Sequence, residues 1–194
     1  MPLTEDPEDQ RDRRPGLGLS LLNAIPNVFW SVVCIVPVYV FCARYVPLHL
    51  LYGFGGISVV PFILPASALE RMAISVSPSL YRRLGVAFIN RFAQDGVLVR
   101  RFATRFYPDR ALLLDARDAR TIARLRSRAF QRERFHLAGF VFFLLLTGRA
   151  ALLGMPGWAV LLLTCNVVYN VYPVLLQQYV RLRLGRVARR QERA

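Results

Sequence analysis

The stretch AFQRERFHLAGFVFFLLLTGRA, residues 129–150, decides the fold. It opens on Arg132, Glu133 and Arg134, then runs to Gly148 without a charge or a proline, so nothing in it stops a helix. Upstream, Arg117, Arg120, Arg124 and Arg128 recur at steps of three and four, which places them on one helical face. Leu114, Ile122, Leu125 and Ala129 fall mainly elsewhere around the same helix. A basic amphipathic helix that becomes wholly apolar reads as one that lies on an anionic lipid surface and then enters the bilayer. The apolar part, 135–147, covers only about 20 Å at 1.5 Å per residue, short of the ~30 Å hydrocarbon core. The span must therefore borrow length from its N-terminal side, which draws Glu133 and His136 to the interface.

The rest of the chain repeats this segregation. Charge-free stretches occupy 15–43, 45–69 and 150–180, and more than half of the arginines lie between Glu70 and Arg134. That separation reconciles a 55% hydrophobic composition with a formal charge of +14 in 194 residues, a combination a soluble domain would not show. Every basic residue is Arg, which reads first as codon bias and only weakly as a preference for guanidinium chemistry. A charge this high suggests a nucleic-acid partner, but the pattern outweighs it: basic flanks are what membrane insertion produces, and no separate basic fold is present, so no nucleic acid is expected. Cys34, Cys42 and Cys165 lie inside apolar runs without metal-ligand spacing and read as small buried hydrophobes. The acidic start (Glu5, Asp6, Glu8, Asp9) and the length of the apolar run after Arg14 argue against a signal peptide.

The expected architecture is all-α and membrane-integral, with about four transmembrane helices in two hairpins and a basic cytoplasmic helical segment between them. Residues 1–18 form a disordered cytoplasmic tail, 19–69 an N-terminal hairpin, 70–134 the basic interfacial segment, 135–180 a C-terminal hairpin and 181–194 a basic tail. The first span, 19–42, contains Pro26 and Pro37, where kinks are expected. The second, 46–69, carries His49, Gly53, Gly55, Gly56, Pro61 and Pro65, and reads as a kinked span or as a broken, re-entrant one. His49 is taken as packed or interfacial. Ser77 and Pro78 look like an N-cap and first helical residue; Gly85 and Gly96 punctuate the chain beyond that helix, and 107–109 is a turn. A tight return at 149–157 leads to the last span, 158–176. Arginine is dense in the middle segment and after Val180, whereas the short loops hold only Arg44 and Arg149. This alternation puts both termini and the middle segment in the cytoplasm of a multi-pass cell-membrane protein.

Familiar catalytic signatures are absent from the sequence. Gly56-Ile57-Ser58 lacks the second glycine of a nucleophile elbow, neither histidine is followed by the His-x4-Asp spacing of soluble-headed glycerolipid acyltransferases, and no phosphate loop or zinc spacing occurs. No cofactor or metal is implied. Glu133 and His136 stand at i and i+3 on one helical face at membrane depth, where ionisable groups are costly enough to suggest function. A carboxylate-oriented imidazole can take a proton from a hydroxyl attacking a carbonyl. The bland alternative is that Glu133 pairs with an arginine (Arg132, Arg134 or one elsewhere) and His136 is an interfacial aromatic. A second group, Asn166, Asn170, Tyr172, Pro173, Gln177, Gln178, Tyr179 and Arg181, comes back beside the first if the last two spans form a hairpin. Its bland reading is interhelical hydrogen bonding.

Glu133-Arg-Phe-His136, an apolar run, a loop, and Asn170-Val-Tyr-Pro-Val-Leu-Leu-Gln177-Gln-Tyr179-Val-Arg181-Leu-Arg183-Leu184 together resemble the C-terminal half of the glycosyl-4,4'-diaponeurosporenoate acyltransferase family. Tyr81-Arg-Arg-Leu-Gly85-Val86 and Asp95-Gly96 resemble its cytoplasmic segment. The family pattern closes with Asn-x-x-Pro and Gln-Arg-Tyr-Asn-Arg-x-Arg-Leu; here Gln178 and Val180 stand in place of its Arg and Asn, and Leu182 stands where Pro is usual. The resemblance implies a small membrane enzyme that esterifies a hydroxyl of a sugar on a carotenoid or other lipid with a fatty acyl chain. It implies as partners the bilayer, an acyl donor (a coenzyme A or carrier-protein thioester) and a glycosylated carotenoid or lipid acceptor. Carried over residue by residue, His136 and Glu133 are the expected catalytic pair, and Asn170, Gln177, Tyr179, Arg181 and Arg183 the expected substrate-binding residues. The competing expectation is a non-catalytic scaffold or accessory protein of a lipid or carotenoid pathway, in which the same polar groups are structural.

Overall fold

The computed structural model describes residues 17–89 and 119–191, and every regular element among them is helical. The tail before Leu17, the Gly96 break, the turn at 107–109 and the start of the basic helix around Arg117 lie outside the described residues.

Helix α1, Leu17–Tyr45, has 29 residues and stays helical through Pro26 and Pro37, with Arg44 in its last turn. The second apolar stretch is broken into three: α2 Leu48–Ser58, α3 Val60–Ile63 and α4 Ala66–Arg71. Its prolines explain why. Pro61 sits in the first turn of α3, where a missing N–H is tolerated, and Leu64, which precedes Pro65, is extended at ψ 131. At 1.5 Å per residue, the 11-residue α2 is about 16 Å long and cannot cross a bilayer by itself. The broken form, rather than one kinked helix, is the one found. The segment nevertheless runs the length of the bundle. Val46, like Met155 and Trp158, packs against the buried core around Phe41 at one end, while at the other the Leu64 carbonyl accepts from Arg134 Nη2 at 2.8 Å.

Helix α5, Pro78–Arg83, begins as the sequence implies: the Ser77 hydroxyl accepts from the Ser79 N–H and Pro78 occupies the first turn. Gly85, at φ +75, then turns the chain into α6, Val86–Ile89. Basic and apolar parts fuse into one 34-residue helix, α7, Ala119–Leu152. Gly154, at φ +68, makes a return shorter than expected, and Pro156 starts α8, Pro156–Asn166. A π-helical turn, Val167–Val171, joins α8 to α9, Tyr172–Gln191. The basic segment after Val180 is helical as far as Gln191.

Helices α7 and α8–α9 pack as an antiparallel hairpin, with α1 against α8. The core between them holds Cys34, Phe41, Phe143, Leu146, Leu162 and Cys165, all buried. Phe41 meets Trp158 and Tyr45 at ring distances of 5.5 and 5.3 Å. The thiols of Cys34 and Cys165 are free and in contact, two small groups that let α1 and α8 approach. The outside is apolar as well: Val28, Phe29, Val32, Tyr39, Ile63 and Val160 are exposed. Three helical stretches, Val28–Tyr45, Thr121–Leu152 and Pro156–Arg189, are long and apolar enough to cross a membrane, and Leu48–Ile63 is a shorter apolar one. Because Phe41 is fully enclosed by this core, Phe41→Ala should cost about 3 kcal/mol of stability. It should unfold at lower temperature or denaturant concentration in detergent micelles, whereas truncating the exposed Tyr39 should leave the transition within experimental scatter.

Candidate functional site

Two antiparallel helices bring α7 residues in descending order against α8–α9 residues in ascending order. Asn166 meets Phe140, Asn170 meets Gly139, and Gln178 with Arg181 meets Glu133. The polar groups that sequence spacing selected are thus gathered along one seam.

At the basic end, Glu133 is completely buried. Gln178 Nε2 donates to its Oε1 at 3.0 Å, and Arg181 Nη2 lies 2.7 Å from its Oε2. Arg181 is itself buried, donates to the Leu69 carbonyl at 3.2 Å, and sits over the Phe130 ring at 4.3 Å. Gln178 Oε1 accepts from the Ile74 N–H at 3.3 Å and stands 3.1 Å from the Tyr81 hydroxyl. That hydroxyl is also 3.2 Å from the Ser75 carbonyl. Burial pushes the Tyr81 phenol above its ordinary range, so it serves as a neutral hydroxyl. One carboxylate thereby ties α7, α9 and the stretch from Leu69 to Tyr81 together. Outside this knot, Arg126 pairs with Glu70.

A turn further into the apolar part, His136 is half-buried. Its ring stands edge-on to Phe135 and Tyr169 at 5.3 and 6.1 Å. It interacts with the Asn170 side chain and the Tyr169 backbone, while Nδ1 is buried without a hydrogen bond. Behind it runs an amide chain: Asn170 Nδ2 donates to Asn166 Oδ1 at 3.0 Å, and Asn166 Nδ2 to the Phe140 carbonyl at 3.1 Å. The π-helical turn carries Tyr169 and Asn170 into this position, and π-turns recur where a helix must present side chains out of phase. The Tyr169 hydroxyl bonds Ser31 of α1 at 2.8 Å.

Glu133 and His136 therefore share a helix face but serve different neighbours: both carboxylate oxygens are engaged by α9, and the imidazole by Asn170 and Tyr169. Arg181, expected to bind substrate, is enclosed by Glu133, Leu69 and Phe130. Gln177 is buried; Tyr179 packs on Tyr81 at 6.1 Å, and the exposed Arg183 lies 5.9 Å over the Tyr179 ring. Sequence reasoning placed Asn166 and Gln178 in the second polar group and Tyr81 in the resemblance without assigning them a site role, and it did not single out Gly139. Gln178 carried a signal, since it is a polar departure next to Gln177; Gly139 carried none, because its small size matters only once Asn170 lies against it. His49 is exposed on α2, away from both groups. Among the described residues, no cluster has the composition of a metal site.

A protein-family model described as glycosyl-4,4'-diaponeurosporenoate acyltransferase matches residues 65–190, a range that contains the whole Glu133 knot and His136. No curated protein and no solved structure matches the chain.

Removing one partner of a buried ion pair strands the other, which costs about 3–5 kcal/mol. Arg181→Met should therefore destabilise the protein strongly, and adding Glu133→Gln to it should restore part of the loss. A double-mutant cycle of unfolding in detergent would check this coupling; additive losses would contradict it.

Proposed function

The chain belongs to the glycosyl-4,4'-diaponeurosporenoate acyltransferase family, and from that premise we propose that it is a multi-pass membrane acyltransferase esterifying a sugar hydroxyl of a glycosylated carotenoid or related lipid with a fatty acyl chain. The observation that carries the reading is the seam of α7 and α9, where an imidazole with an unbonded nitrogen faces a fixed amide just inside the arginine-rich end of the bundle.

The orientation that suits this chemistry has both termini and the basic segment in the cytoplasm, with four passages through the cell membrane. The broken 46–69 segment supports that topology, because it leads from the Trp158 end of the bundle back to Arg134 and Arg181. Acyl chain and polyene both dissolve in lipid, so a site at the cytoplasmic interface gathers the two reacting heads while their tails stay in the bilayer. Proximity is then the main source of rate. His136 is the general base: it removes the proton as the sugar oxygen attacks the thioester carbonyl. The C–O bond forms, the C–S bond breaks, and the imidazolium returns its proton to the departing thiolate.

Glu133 acts through position, by holding α7 to α9 through Gln178 and Arg181. Arg183 is the guanidinium with the exposure to meet the phosphate groups of a coenzyme A or carrier-protein thioester. Gln177 and Tyr179 complete the assignment on the substrate side. The burial of Glu133 against Arg181 and Gln178 also favours a second reading, a non-catalytic accessory protein of the same pathway, in which the knot is purely structural.

Vesicles containing the purified protein, a labelled fatty acyl thioester and a glycosylated carotenoid separate the two. Acyl transfer by the wild-type chain, falling about 10²–10⁴-fold in His136→Ala with the melting temperature preserved, is the expected outcome. Wild-type rates in His136→Ala remove the mechanism. A deletion strain with an unchanged pigment and lipid profile removes the enzyme.

A further inference from the structure

The direction of the amide chain beside His136 has a chemical consequence. The Phe140 carbonyl can only accept, so the Asn166 amide facing it must present Nδ2 there and Oδ1 toward Asn170. Asn170 in turn commits its Nδ2 to Asn166 Oδ1. The atom left free on Asn170 is Oδ1, and it points at α7: a Cβ built on Gly139 would stand 2.3 Å from it. Gly139 lies three residues from His136, on the same side of the helix. An acceptor therefore faces the imidazole, joined by the backbone of Tyr169, whose interaction with the ring is of the same kind. Nδ1 is the ring nitrogen buried away from solvent, and in the resting structure it has no hydrogen bond. A neutral imidazole carries one N–H and one lone pair, and the hydrogen bond at one nitrogen decides the role of the other.

We propose that Asn170 is a positioning residue that holds His136 with its proton on Nδ1, leaving Nε2 as the nitrogen that meets the acceptor hydroxyl, with Gly139 supplying the space this requires. The assignment rests on His136 being the base, and it adds which nitrogen is basic and what makes it so. In the reaction Nε2 takes the hydroxyl proton, the positive charge spreads over the ring, and Nδ1–H closes onto Asn170 Oδ1 as that charge develops. Asn170 so placed does not touch substrate. Its contribution enters the rate and leaves substrate affinity alone.

Nitrogen-15 NMR of the full-length protein in nanodiscs tests this without turnover. His49→Gln removes the other histidine, so labelled histidine reports His136 alone. The expected wild-type spectrum has a protonated Nδ1 and a bare Nε2. Asn170→Leu, which keeps the size and deletes the acceptor, should mix the tautomers and lower kcat roughly 10–100-fold with KM unchanged, the size typical of losing a group that orients an imidazole. Asn170→Asp, which keeps an acceptor oxygen, should retain the Nδ1–H form. Gly139→Ala, which drives Oδ1 aside, should mix the tautomers as Asn170→Leu does, and serves where the leucine variant fails to fold. A wild-type Nε2–H tautomer, or a leucine variant with the wild-type spectrum and kcat, overturns the proposal. A wild-type Nδ1–H spectrum together with a fully active His136→Ala would instead remove the base while leaving the tautomer assignment intact.

Discussion

A carboxylate without solvent access is the constraint from which the rest of this molecule can be understood. Glu133 is enclosed in a region where an unpaired charge is prohibitively costly. Arg181 and Gln178 must therefore stand where they do, which fixes the rotation and height of α9 against α7. Because Arg181 also reaches Leu69, and Gln178 reaches Ile74 and Tyr81, the same demand draws in the chain just beyond the broken apolar segment. With little hydrophobic driving force between helices in lipid, such polar contacts set helix arrangement more firmly than apolar ones can. His136 inherits its position from this knot, one turn away.

The sequence reading located the bundle because the bilayer imposes coarse rules that composition obeys. Charge-free runs of sufficient length, and arginine between them, made α1, α7 and the α8–α9 rod visible, and Ser77-Pro78 announced the start of α5 through ordinary capping chemistry. The continuity of α7 came from the lack of any stop signal between Arg120 and Gly148. The second apolar stretch was harder to read. Hydropathy averages over its prolines, whereas the backbone responds to each one, and Leu64 before Pro65 is forced out of helix.

The site was legible in membership more than in wiring. Spacing selected Glu133, His136, Asn170 and Arg181, and the fold does collect them on one seam. Spacing offered both an imidazole and an arginine as the partner of the carboxylate, and it did not show that the partners would be Arg181 and Gln178. The reason lies in helical phase. Counting from Asn166 and Asn170 in α-helical steps leads to Gln177, but the π-helical turn at Val167–Val171 adds residue length to one turn. The side chains that reach Glu133 are consequently Gln178 and Arg181. Tyr81 was out of reach of any local rule, since it is brought in from 97 positions away.

That π-helical turn also sets how this rod tolerates change in length. A wide turn holds one residue more than an α-helical turn, so the phase of everything from Tyr172 onward depends on that surplus being kept. Losing a single residue there would let the helix close into regular α form and swing the Arg-bearing half about 100° around its axis. Gln178 and Arg181 would then face away from α7 and leave a naked carboxylate in the interior. Point changes among Val167, Val168 and Val171 alter only packing; a one-residue deletion rewires the whole arginine-rich end.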